Sequence, residues 1–244
     1  MQRIFGSVLT FLYPQRCLGC EAVIESAEAF CASCHSLIHR VESPLCVCCG
    51  APFTISAGPD HLCGRCLANP PAFHQARAWA FYQRGDSSRQ PLSVALQRFK
   101  YHRNLSTGRR LAELGATHCP MEGSKYDLIV PVPLHLERLR WRGFNQALLL
   151  SHTIGQAKQI GVDPLLLTRT RPTASQTQLT ESERRANVRG AFAVASPERL
   201  KDKRVLLVDD VYTSGATVDE CARTLCRSGA QVVDVFTLAR ATLQ

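Results

Sequence analysis

From residue 126 onward, apolar runs alternate with amphipathic stretches at the lengths of strands and helices. The segments "YDLIVPVPL" (126–134), "VDPLLLT" (162–168), "RVLLVDD" (204–210) and "QVVDVFTLA" (231–239) read as strands. Between them, 144–160 reads as a helix ending before Gly161, and 217–227 as a helix stopped by Gly229. In the second helix Val218, Cys221, Ala222 and Leu225 recur at i, i+3, i+4 and i+7, which gives it one apolar face. Cys221 and Cys226 are therefore expected in or near a core, and Cys119 has no partner at ligand spacing. This alternation predicts an α/β domain with a largely parallel, buried sheet flanked by helices.

The amino-terminal part follows different rules. Its apolar stretch "IFGSVLTFLY" (4–13) is about ten residues long, against the ~20 that span a bilayer. No small-residue cleavage site follows it, so a short amphipathic helix packed on the body is expected, in a chain that stays in the cytoplasm. Nine of the 12 cysteines fall between residues 17 and 66, and paired prolines stand at Asn69-Pro70-Pro71. Together these place a boundary between a Cys-rich unit at 1–70 and an α/β unit at 71–244.

In a reducing compartment, thiols at this spacing bind metal more often than they form disulfides. Cys17-x2-Cys20 with Cys31-x2-Cys34, and Cys46-x2-Cys49 with Cys63-x2-Cys66, supply ligands for two closed, structural zinc sites. Sequential pairing of the four turns is one arrangement; interleaved pairing fits the same spacings. Cys48 is the spare thiol, and His35 and His61 are expected in solvent. Eight thiolates and two Zn²⁺ lower the formal charge from +9 to about +5 and leave the Cys-rich unit acidic. The positive surplus lies elsewhere, since residues 77–142 carry 12 Lys/Arg against 5 Asp/Glu. Such a surplus suits a polyanion, either nucleic acid or a phosphorylated small molecule.

The stretch "RVLLVDDVYTSGAT" (204–217) carries the most chemistry. Val205, Leu206, Leu207 and Val208 form a continuous apolar strand, which delivers Asp209 and Asp210 to its carboxyl end, where open α/β sheets bind ligands. The segment Val211, Tyr212, Thr213, Ser214, Gly215, Ala216, Thr217 then turns into a helix. Gly215 permits the tight turn, and the first amides of the helix, aided by the hydroxyls of Thr213, Ser214 and Thr217, make a phosphate cradle. Two carboxylates beside a phosphate need another task, and vicinal ribose hydroxyls with Mg²⁺ supply one. The implied ligand is a ribose 5-phosphate bearing a further anionic group.

These residues resemble the phosphoribosyl pyrophosphate loop of type I phosphoribosyltransferases. Three more stretches, "FKYHRN" (99–104), "VPVPLHLERLRWRGFNQ" (130–146) and "TASQTQLTESERRANVRGAF" (173–192), resemble the ComF branch of competence proteins, as does the Cys-rich head. The resemblance implies a double zinc ribbon before a phosphoribosyltransferase-like domain that binds phosphoribosyl pyrophosphate with Mg²⁺. It also implies a part in DNA uptake, with single-stranded DNA and competence helicase-type proteins as partners. Lys100, Arg103, Arg138, Arg140, Arg142, Arg184 and Arg185 are then candidates for pyrophosphate or nucleic-acid contacts, and Arg184, Arg185 and Asn187 fall in the family's flexible loop. Two positions depart from the pattern. Ser214 replaces a common threonine, and His102-Arg103 replaces a basic-then-glycine pair. Three readings remain: a DNA-uptake factor that binds the ligand, a transferase acting on an acceptor that no residue set identifies, and a ligand-sensing regulator.

Overall fold

The computed structural model describes residues 14–25, 28–55, 57–83, 90–102, 104–173 and 180–242; the helix expected over 4–13 and the candidate Arg103 lie outside them. Along the chain come α1 (Ala32–Ser36), α2 (Gly64–Ala68), β1 (Ala76–Tyr82), α3 (Pro91–His102), α4 (Leu105–His118), β2 (Leu128–Pro131), α5 (Leu136–Arg142) and α6 (Gln146–Lys158). There follow β3 (Leu167–Arg169), α7 (Glu181–Val188), β4 (Phe192–Val194), β5 (Arg204–Tyr212), α8 (Ala216–Arg227) and β6 (Val232–Ala241). Four strands form a sheet in the order β1-β6-β5-β2 with every neighbouring pair parallel, while β3 and β4 make a separate antiparallel pair.

The apolar run of β5 is explained by cover on both faces. Leu206 and Val208 pack with Leu150 and Ile154 of α6, whereas Val205 and Leu207 pack with Val218, Cys221, Ala222 and Leu225 of α8. Alternate residues thus point into opposite layers, as the strand period of two requires. Cys221 belongs to the core as expected.

The expected strand over 162–168 is split. Val162 makes one parallel bridge to Ile129, and only Leu167–Arg169 is a strand, paired with β4. Pro164 has no N–H to give a ladder, and the preceding Asp163 is turned inward, accepting from Leu165 N at 3.2 Å and pairing with Arg199 at 2.6 Å. The helix expected over 144–160 is shorter at both ends: Asn145 caps its start through Ala147 N, and Gln159 ends it in the left-handed region at φ 58. Conversely, β5 continues past its aspartates to Tyr212, opposite Arg240 of β6.

The forecast left out β1, α3 and α4, along with the short elements α1, α2, α5, α7 and β4. Two glycines make α4 fit: a side chain at Gly108 would meet the ring of Phe99 on α3, and one at Gly115 would meet Leu150 on α6. The Cys-rich part runs along the outer edge of β1, where Val41 N donates to Trp79 O at 3.0 Å and Phe81 N to His39 O at 2.8 Å. That contact occupies an edge that would otherwise offer unpaired backbone groups. Cys17, Leu18, Phe30 and Cys34 share an apolar cluster with Trp79, Leu92 and Leu96. Cys46, Cys49 and Cys66 share another with Phe73, Tyr212 and Val235. Among the described residues, no helix is long and apolar enough to cross a membrane.

Candidate functional site

A cavity of about 620 Å³ opens at the carboxyl ends of the parallel strands. Strand β5 supplies Asp209, Asp210, Val211 and Tyr212, β1 ends on it with Tyr82, and the segment after β2 adds Val132, Pro133 and Leu134. That last segment is held by Asn145, whose side-chain amide donates to Val132 O at 3.1 Å while its oxygen caps α6.

The turn after β5 reaches α8 through Gly215, whose φ of 83 lies in the left-handed region and which starts the helix with no side-chain cap. A β-carbon at Gly215 would also collide with the Tyr212 hydroxyl, so both backbone and space require glycine. The helix start therefore keeps backbone donors for an anion. Thr213, Gly215 and Thr217 line the main cavity. Ser214 and Ala216 are buried and line a second cavity of about 300 Å³ behind the turn. The Ser214 hydroxyl accepts from Ala216 N at 3.4 Å, so it braces the turn from within.

Charge on the wall is arranged around the acid pair. Lys100 on α3 reaches Asp210 at 2.7 Å. Burial pushes the Asp210 carboxyl up, yet the Lys100 ammonium and, behind it, the Arg142 guanidinium hold it below the ordinary range. Burial opposes the charge on Lys100 too, and the Asp210 carboxylate outweighs it and raises that pKa. For Asp209, burial, then the charge of Asp210, outweigh the backbone donor Asp210 N at 2.8 Å and the Lys100 charge and push it up to about 8. The two shifts run in opposite directions, so charge is favoured on Asp210 and Asp209 is the acid that keeps its proton to higher pH.

Of the basic candidates, Lys100, Arg138 and Arg142 line the main cavity. Arg140 is exposed and does not line it. Arg184, Arg185 and Asn187 lie on α7, a helix opened by a Thr180–Glu183 capping box, and Arg185 lines the second cavity. Sequence reading missed Arg169, which lies on the wall at the end of β3. Its strand lies outside the parallel sheet, in the β3–β4 pair, so the rule that drew attention to Asp209 does not reach it. Gln146, caught only as the last letter of a quoted stretch, is also on the wall. Among the described residues, the buried atoms Arg142 Nε, Arg169 Nε and Gln146 Nε2 have no hydrogen-bond partner.

The cysteines resolve into two groups, Cys17, Cys20, Cys31, Cys34 and Cys46, Cys49, Cys63, Cys66, with the sulfur atoms of each within 4.8 Å of one another. Pairing is thus sequential, and Cys48, His35 and His61 are in neither group. A zinc tetrahedron with Zn–S of about 2.3 Å has S–S edges of about 3.8 Å. Cys20–Cys31 at 3.7 Å and Cys49–Cys63 at 3.8 Å match it. Backbone amides point at the sulfurs as well: Cys31 N donates to Cys17 Sγ and Cys63 N to Cys46 Sγ, each at 3.3 Å. Burial pushes the thiols of Cys17 and Cys46 up, and such backbone donors overcome it and bring each down to about 6. The donor sets fit two structural zinc ions with no open position.

The family model for a double zinc ribbon domain matches residues 8–67, and that for a phosphoribosyl transferase domain matches 165–242. The DNA utilization protein YhgH of Escherichia coli O157:H7 is 36% identical over 215 residues, covering 86% of this chain and 89% of its own. Competence protein F of Haemophilus influenzae is 32% identical over 235 residues, covering 93% of this chain and 97% of its own. Among solved structures, the glutamine phosphoribosylpyrophosphate amidotransferase from B. subtilis superposes with a TM-score of 0.37 at 21% identity, over 53% of this chain and 25% of its own.

Two outcomes are expected. Metal analysis of the purified chain will return two zinc ions, and a value near one or zero would remove a cluster. Asp209→Asn will raise stability, because it keeps the acceptor for Asp210 N and removes a costly charge. A carboxyl whose folded pKa is raised loses stability as pH climbs from its unfolded value near 4 toward the folded value near 8. The gain in urea midpoint over the parent should therefore widen across that interval, and a gain that narrows with rising pH would contradict the protonated assignment.

Proposed function

The chain belongs to the ComF family of competence proteins, and on that premise we propose that its cavity binds phosphoribosyl pyrophosphate with Mg²⁺ in the cytoplasm, in the service of DNA uptake. The observation that supports this most is the division of one cavity wall into three chemistries. The uncapped start of α8 behind Gly215 suits the 5-phosphate, Asp209 and Asp210 suit the vicinal hydroxyls and the metal, and Lys100, Arg138, Arg142 and Arg169 suit the pyrophosphate. A buried donor left without a partner costs ~1–3 kcal/mol, so the unmatched donors of Arg142, Arg169 and Gln146 favour an occupant rich in anionic oxygens.

Mg²⁺, when bound, would neutralise charge on the pyrophosphate. The residues' own part is to hold and release charge. Asp210 is already ionised and positioned by Lys100; Asp209 gives up its proton when a cation arrives, and Lys100 can turn from Asp210 to the ligand's phosphates. Binding with metal should therefore release a proton near neutral pH.

A specific observation also favours single-stranded DNA at the rim. Tyr101 and Trp141 are 60% and 57% exposed and meet edge to face with ring centroids 6.5 Å apart. A third cavity of about 280 Å³, which shares Arg138, Trp141 and Arg169 with the first, prolongs the groove past them. Exposed aromatic faces beside arginines are how proteins stack bases while following a phosphate backbone.

Asp209→Asn combined with Asp210→Asn should weaken phosphoribosyl pyrophosphate binding at least tenfold, ~1.4 kcal/mol, by calorimetry, with the fold retained by circular dichroism. Unchanged affinity would refute the assignment of the acid pair. For the rim, Trp141→Ala should cost ~1–3 kcal/mol in single-strand affinity at every salt concentration, whereas Arg138→Ala should lower the salt slope by about 1. Fluorescence anisotropy with a labelled oligonucleotide reads both, and two unaltered curves would remove the rim from DNA binding.

A further inference from the structure

The second four-cysteine group sits directly behind the phosphate turn. Arg65, between Cys63 and Cys66 on α2, donates through Nη2 to the backbone carbonyl of Ser214 at 3.1 Å and to the Tyr212 hydroxyl at 3.4 Å. Arg240, 4% exposed on β6, lies over the Tyr212 ring at 4.4 Å and donates to the carbonyl of Cys49 at 2.7 Å. The Tyr212 hydroxyl in turn fills the space where a side chain on Gly215 would project. Arg65, Tyr212 and Arg240 thus form a bridge with one foot on each half of the cysteine group and its span beneath the turn at 213–217.

The first group is seated differently. Its contacts go to the helices, with Arg98 of α3 reaching Leu18 O at 3.5 Å and Arg110 of α4 reaching the carbonyls of Arg16 and Glu28. Among the described residues, no hydrogen bond links it to 213–217. The two four-cysteine groups share a ligand spacing and differ in what they support.

We propose that the second group is part of the anion site's support: zinc held by Cys46, Cys49, Cys63 and Cys66 fixes both feet of the bridge, and Arg65, as a positioning residue, keeps the turn in its phosphate-receiving form. This rests on the reading that the turn takes the 5-phosphate of phosphoribosyl pyrophosphate. Zinc occupancy at this one group then sets affinity for the phosphorylated ligand. Because coupling between two bound species is reciprocal, the ligand must retain that zinc by the same factor. Without zinc the carbonyl of Cys49 and the guanidinium of Arg65 belong to a chain segment no longer closed on itself, and the turn loses its backing.

The test uses the full-length, zinc-loaded chain, with Arg65→Ala, Arg65→Lys and, as a change at the first group's seat, Arg110→Ala. Backbone amide exchange of 213–217, measured without ligand, should quicken at least tenfold in Arg65→Ala while two zinc ions remain bound, and Arg65→Lys should restore part of the protection. Arg110→Ala should leave the exchange of that segment as in the parent. Saturating phosphoribosyl pyrophosphate should tighten the affinity for one of the two zinc ions, read at equilibrium against a competing chelator, at least fivefold in the parent and not in Arg65→Ala. Unchanged loop exchange in Arg65→Ala, or equal quickening in Arg110→Ala, would overturn the proposal. If the parent bound no phosphoribosyl pyrophosphate, the ligand reading would fall and with it the coupling to zinc, whereas the exchange measurement would still decide whether Arg65 holds the turn.

Discussion

Two adjacent carboxylates at the end of a buried strand are the constraint around which the cavity is organised. The run from Val205 to Val208 is covered on both faces, so the strand cannot shift without exposing it, and Asp209 and Asp210 are delivered to a half-buried mouth. Charge there is costly unless partnered. Lys100 answers one of the two acids, and the other answers by holding its proton. Arg138, Arg142 and Arg169 then exceed the charge of the pair, and this excess makes the cavity receptive to an anion.

The cysteine-rich part answers a second constraint, the instability of the turn. From its own sequence the turn has the Ser214 hydroxyl, which accepts from Ala216 N, while Gly215 opens the helix in the left-handed region without a side-chain cap. The support comes from behind, from Arg65, the Tyr212 ring and Arg240, and these lead to Cys49 and to the helix between Cys63 and Cys66. The same part also occupies the outer edge of β1. Ribbon and sheet thus share apolar clusters, although the composition of the chain changes sharply between them.

Elements governed by local rules were legible in the sequence. The apolar run that leads into Asp209 and Asp210, the amphipathic face of α8 and the cysteine spacing each follow from a few neighbouring residues. What escaped depends on distant partners. Gly108 and Gly115 weaken the helical signal of α4 but permit close approach to Phe99 and Leu150. Pro164 and the inward-turned Asp163 divide a run that reads as one strand, and β3 pairs with β4, which lies beyond α7. In the site, Asp209, Asp210 and Gly215 were readable, whereas Arg169 lies on the wall from β3, a strand paired across α7 with β4. No local pattern places Arg65 beneath Ser214, since 149 positions separate them.

The most direct measurement is a calorimetric titration of the zinc-loaded chain with phosphoribosyl pyrophosphate, with and without Mg²⁺, at pH values on either side of about 8. An acid pair that must shed the Asp209 proton to carry the metal predicts saturable binding at one site per chain, dependent on Mg²⁺, tighter at the higher pH and accompanied by proton release at the lower. Absence of saturable heat under every condition, or binding indifferent to both metal and pH, would contradict it.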